Sequence, residues 1–191
     1  MLGAFLEILT AICNIGTAVV LYPFAKRHSH RLAFGYVATR ILESTIIVAG
    51  IVSVLSVLTA RQQFAGTGAD ADTLTIAGQT LVAFHDWTFL LGPGFCAGIG
   101  NGLLLSYLMY TSGLLPRRLG LIGGSFAFLA ATGALFDVYE RQSAPQFLLI
   151  LPEMIWELTF GIYLATKGFA SSALRQDADA RHTAPPVAAF G

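Results

Sequence analysis

Charge is what this sequence has least of. Of its 191 residues, 12% are Asp, Glu, Lys or Arg, while 55% are hydrophobic. An ordinary soluble domain carries about 25% charged residues. So little charge cannot coat a water-facing surface, and the solvent over much of the chain is therefore lipid. Neither sign is in excess, with 11 basic and 11 acidic residues, which removes the basic footprint that a nucleic-acid partner needs. Cysteine is scarce too. Cys13 and Cys96 each sit in an apolar run and read as packing residues rather than a disulfide or metal site. Of the few histidines, His28, His30 and His182 lie among polar residues, leaving His85 alone near the apolar segments. A metal site needs several ligands in a defined geometry, so no metal and no cofactor is expected. The first segment lacks a basic start and carries Glu7, which makes it a mature helix rather than a signal peptide.

Long apolar runs are what the sequence has in quantity. A membrane-spanning helix needs about 20 mostly apolar residues, and five segments qualify, at about 2–22, 32–58, 87–110, 119–136 and 146–166. The expected fold is an all-α polytopic transmembrane bundle occupying residues 1–170, with 171–191 a disordered cytoplasmic tail. The long connection after the second segment begins Gly/Ala/Asp-rich, and its later part, 74–84, is expected to form a short interfacial helix. Lys26, Arg27, Arg31, Arg117, Arg118 and Lys167 cluster on one side of the predicted topology. By the positive-inside rule that side is the cytoplasm. With five spans, the C-terminus is then inside and the N-terminus outside. One more helix upstream would return the start to the cytoplasm.

Helices in lipid associate through close packing of small residues, since the surroundings are as oily as the helix. "GPGFCAGIGNG" places Gly94, Gly98 and Gly102 at four-residue spacing. This face fits another helix of the chain or a second copy of it. It lacks the spacing and the preceding strand of a dinucleotide-binding loop.

A charge at membrane depth costs at least ~2.5–3.5 kcal/mol and marks pairing or function. The candidates are Glu7, Arg40, Glu43, Glu153 and Glu157, with His85 and Asp86 at the outer edge and Asn14 and Asn101 as uncharged polar groups. At ~1.5 Å rise per residue, Glu43 and Glu157 both fall near the midplane, with Glu7 and Glu153 in the outer half. At ~100° per residue, Arg40, Glu43 and Ser44 share a helix face, Glu153 and Glu157 share another, and Glu7, Thr10, Asn14 and Thr17 form a polar stripe. Asp86 and Asn101 lie within about 60° of each other on the third span. These stripes should converge on the bundle interior.

Two readings follow. In one, Arg40 pairs with Glu43 or Glu157 and the polar core fixes helix register; where Glu157 is the structural counter-ion of Arg40, Glu157→Gln should sharply lower the folded yield. In the other, several carboxylates facing one arginine leave negative charge for a proton or a small polar or cationic solute, as in a transporter or sensor. An intramembrane enzyme ranks behind both, since Ser44 and Ser106 have no base at matching depth.

"YVATRILES", "HDWTFLLGPGF", "NGLLLSYLMYTSGLLPRRLGLIGG" and "LPEMIWELTFGIYLATKGF" together resemble the bacterial membrane-protein family known as domain of unknown function 4386. The resemblance runs from the first helix to about Phe169. It implies a multi-helix inner-membrane protein with no assigned activity. It also marks Arg40, Glu43, Ser112, Pro116, Arg117, Glu153 and Glu157 without giving them roles. Such proteins typically carry about six helices, so by this resemblance the chain lacks the first.

Overall fold

A computed structural model describes residues 1–64, 68, 70–120 and 145–170, with side chains of 145–150, 152 and 153 set aside. The described residues are helical, without strands. Helix α1 spans Leu2–His28 and α2 spans His30–Phe64. Helix α3 runs unbroken over Ala71–Ser112, and α4 covers Pro145–Lys167. The first three are each long and apolar enough to cross a membrane. At ~1.5 Å per residue, α4 also reaches the ~30 Å thickness of a bilayer core. The predicted segment 119–136, apart from its first two residues, and the predicted tail 171–191 lie outside the described residues.

Each helix end has a local cause. Ser29 adopts extended backbone between α1 and α2, and its hydroxyl accepts from the Leu32 N–H at 3.3 Å, capping the start of α2. Beyond α2, Gly68 takes a left-handed φ of 71°, a conformation costly to any residue with a Cβ. Asp70 then caps α3, accepting from the Thr73 N–H at 3.1 Å and the Thr73 hydroxyl at 2.6 Å. Gly113 and Gly168, both with positive φ, stop α3 and α4.

The Asp70 cap gives a first prediction. The Thr73 hydrogen bonds hold this carboxyl below its usual value of 3.8. A depressed folded pKa contributes stability that is present above the unfolded value and lost as pH falls through the folded one. Protection of the Thr73 amide from exchange, taken relative to the intrinsic rate at each pH, should therefore hold at neutral pH and be lost only below 3.8. Asp70→Ala should exchange fast throughout.

The 74–84 stretch is not a separate interfacial helix. It forms the first turns of α3, packed along the distal end of α2. At ~1.5 Å per residue, α2 and α3 are about 50 and 60 Å long, more than the ~30 Å bilayer core requires. Within α3, Leu90–Cys96 and Gly98–Leu105 wind with wider π-helical turns. Pro93 lies in the first of these. It has no N–H and its ring crowds the carbonyl a turn back, which regular α winding does not accommodate.

The packing seam follows from small residues. The buried positions of α1 are Ala4, Ala11, Asn14, Ala18, Leu21 and Ala25. Those of α2 include Ala33, Tyr36, Arg40, Glu43, Ile47 and Gly50. From Ala11 onward in α1, and throughout this α2 set, the steps are three and four residues, the knobs-into-holes pattern of antiparallel helices. The opposite face of α1 exposes Leu2, Phe5, Leu6, Ile12, Val19 and Val20, a surface suited to lipid. Two apolar layers result. One holds Ala4, Ala11, Ile47 and Ile51. The other gathers Leu21, Tyr36, Leu105, Met109, Trp156 and Phe160 among others.

Candidate functional site

Between those apolar layers lies a polar one. Arg40 Nη1 donates to Glu43 Oε2 at 2.8 Å, one helical turn apart on α2. Arg40 Nη2 donates to Asn14 Oδ1 from α1, and Asn14 Nδ2 donates to Glu43 Oε1 at 2.8 Å. The three side chains close a ring. Each carboxylate oxygen of Glu43 and both ends of the Asn14 amide are engaged, and all three residues are buried. A buried ion pair is tolerated only when its remaining hydrogen-bonding capacity is met, and Asn14 meets it here. Ser44, beside the ring, donates to the Ala11 carbonyl at 3.2 Å and adds a second polar tie between α1 and α2.

Helix α4 joins from the other side. Glu157 Oε1 lies 3.5 Å from Arg40 Nη1 and accepts from Asn101 Nδ2 of α3. Its side chain is 43% exposed, against 5% for Arg40. Trp156 Nε1 donates to the Asn101 carbonyl at 3.3 Å. Asn101 therefore joins α4 through both its side chain and its backbone. Among the described residues, Tyr36 Oη and Arg40 Nε are buried without a hydrogen-bond partner.

The glycines that let α3 approach this layer are Gly92 and Gly100. A Cβ on Gly92 would sit 3.3 Å from Ile46 Cγ2 and 3.4 Å from the Glu43 carbonyl oxygen. On Gly100 it would sit 2.6 Å from Thr39 Oγ1. A Cβ on Gly94 would meet only Leu90 and Phe89 of its own helix. Gly98 and Gly102 are buried. Gly92 and Gly100, eight residues apart in the π-wound stretches, both face α2.

The other candidates separate. Glu7 and His85 meet in a second, outer pair, with His85 Nε2 at 3.2 and 3.3 Å from the two Glu7 oxygens. Asp86 points away, 75% exposed, with Oδ1 3.9 Å from His85 Nδ1; the wide winding between Asp86 and Asn101 breaks the angular match expected of a regular helix. Thr10 and Thr17 are exposed, and each donates back to a carbonyl of its own helix. That satisfies their hydroxyls without a bundle interior. The Glu153 side chain lies outside the described residues. The Ser44 and Ser106 hydroxyls donate to backbone carbonyls, so neither bonds to a base. Cys13 is exposed, Cys96 is buried, and both are free. Among the described residues no metal-binding group of three or more ligands occurs.

Sequence reasoning passed over Tyr36, Trp156, Gly92 and Gly100. Ala4, Ala11, Ala18 and Ala25 recur every seven residues, a spacing visible in the sequence. They identify the buried face of α1 and put Asn14 at its centre.

Long apolar helices clamped around a buried arginine–carboxylate layer define a multi-helix membrane protein. The chain belongs to the family described as Domain of unknown function (DUF4386), whose model matches residues 1–168. No curated protein and no solved structure matches it.

Proposed function

We propose that this is a small structural or accessory protein of the bacterial inner membrane, in which the Arg40–Glu43–Asn14 ring sets the register of the helix bundle. The observation that carries this reading is the closure of the ring: Glu43 has no unengaged oxygen left to offer a substrate. The seam between α1 and α2 is lined on α1 by small residues that pack closely in lipid. The ring forms in a single register. A lone polar residue at a core position does the same in coiled coils, specifying alignment at some cost in stability. The basic residues support a cytoplasmic C-terminus and an external N-terminus. Lys26 and Arg27 end α1, Arg117 and Arg118 follow α3, and Lys167 ends α4, all at one end of the bundle. Lys26 lies over Tyr22 and Arg117 over Tyr110, aromatic–basic pairs of the kind found at a membrane interface.

The test compares two conservative variants. Glu43→Gln removes a charge from a closed, buried ring and should cost about 1.5–3 kcal/mol, the range for hydrogen bonds to charged groups. Glu157→Gln alters a half-exposed carboxylate at the longer distance and should cost under about 1 kcal/mol. SDS titration of the purified protein in mixed micelles reads both. Wild-type unfolding in Glu43→Gln, or a larger loss in Glu157→Gln, would sink the structural account.

A further inference from the structure

Away from the ring, a cavity of about 270 Å³ opens between α1, α2 and α3. Glu7 and Thr10 of α1 line it, with Ile47 of α2 and His85, Thr88, Phe89 and Pro93 of α3. Its polar groups are almost all acceptors. The Thr10 hydroxyl spends its proton on the Leu6 carbonyl at 3.0 Å. Thr88 spends its own on the His85 carbonyl at 2.7 Å. Both hydroxyl oxygens keep lone pairs. Glu7 offers two carboxylate oxygens, and a histidine N–H is the one donor left among the lining side chains. Apart from His85, Glu7 has no basic partner within salt-bridge distance among the described residues. Ile47, Phe89 and Pro93 supply the apolar walls, and Phe89 is an aromatic of the kind that attracts ammonium groups. The volume falls just below the range of drug-sized pockets, about 300–1,000 Å³.

We propose that this cavity binds an organic ammonium group on a short apolar body, with Glu7 as counter-ion and the threonine oxygens as acceptors for its N–H groups. A carboxylate and two threonine oxygens set in apolar walls select a cationic donor over an anion or a neutral alcohol. The site is independent of the ring, so the register lock stands or falls separately.

The ammonium group has two sources, a free amine or a lipid headgroup. The full chain is placed in nanodiscs of phosphatidylglycerol, and n-butylammonium is titrated with n-butanol as the neutral control. Saturable binding of butylammonium, not of butanol, weakened at least ten-fold by Glu7→Gln and only slightly by His85→Gln, assigns the site to a free amine. Glu7-dependent retention of phosphatidylethanolamine through detergent exchange, without butylammonium binding, assigns it to a headgroup. Thr10→Trp places bulk at an exposed lining position away from the core, and should abolish either mode even if Glu7→Gln fails to fold. Binding of neither ligand, or binding unchanged in both Glu7→Gln and Thr10→Trp, overturns the proposal.

Discussion

Arg40→Ala should destabilise the bundle by about 3–5 kcal/mol, the cost of removing one partner from a buried ion pair. The loss is large because it strands the others. Glu43 Oε2 loses its donor and the Asn14 carbonyl oxygen loses its own, both in residues closed to solvent. Glu157 loses its guanidinium neighbour at 3.5 Å but keeps the Asn101 amide and an open side. Removing all three ring members should cost much less than removing Arg40 alone, since well-packed apolar side chains can replace a buried polar group at little cost. The variant Arg40→Met with Glu43→Leu and Asn14→Leu should regain most of the stability in SDS titration. What it should lose is register. Ser44 lies against the Ala11 carbonyl, so cysteines introduced at positions 11 and 44, in a chain freed of Cys13 and Cys96, should crosslink efficiently in the presence of the ring and poorly in the apolar triple variant. If the triple variant is as destabilised as Arg40→Ala, or crosslinks like the wild-type ring, the ring is not a register device.

The sequence carried the ring's ingredients but not its closure. Arg40 and Glu43 are legible because their three-residue spacing fixes a shared face on any helix. Depth counting brought Glu157 to their level, since rise per residue is nearly constant. Asn14 was legible as polar, yet its place in the ring depends on how α1 and α2 align, which no property of a single helix gives. The equal weight given to Glu43 and Glu157 did not survive. A charge count cannot distinguish a carboxylate sealed by an amide from one 43% exposed. Threonines were over-read for the same reason. Their hydroxyls can be satisfied by the preceding turn of their own helix, so a polar stripe need not face a polar interior.

The fold's harder lesson lies in α3. Its helical nature was clear from composition, but its winding was not. The stretch 74–84 was set apart because Gly, Asp and Thr interrupt the apolar run before it. The structure joins it to the span because the distal end of α2 gives it a surface to pack on. Close approaches to α2 fall at Gly92 and Gly100, two glycines additional to the four-residue set of Gly94, Gly98 and Gly102. No rule applied to the sequence anticipates fifteen π-wound residues in two stretches of seven and eight.

That difference makes the glycines a sharp test. Gly100→Ala should be the most damaging of the small glycine substitutions near the ring. Its Cβ would lie 2.6 Å from Thr39 Oγ1 and 3.2 Å from Thr39 Cβ. Thr39 cannot yield easily. Its side chain is short and β-branched, and its hydroxyl is held by the Gly35 and Tyr36 carbonyls at 3.1 and 2.8 Å. The strain must pass into the α2–α3 spacing beside Arg40, whose Cδ lies 3.7 Å from the same point. Overpacking of this kind costs about 1–3 kcal/mol. Gly94→Ala should be mild by comparison, since its Cβ meets only its own helix at 3.8 and 3.9 Å. Gly16→Ala, with nothing within 4 Å, should be neutral or gain up to about 1 kcal/mol from helix propensity. Thr39→Ala in the Gly100→Ala background removes the worst clash and leaves a Cβ contact of 3.2 Å. It should recover part of the loss without affecting Gly94→Ala. The four variants are ordered by SDS titration in mixed micelles. Equal losses at Gly94 and Gly100 would mean that the approach of Gly100 to Thr39 does not set the α2–α3 spacing.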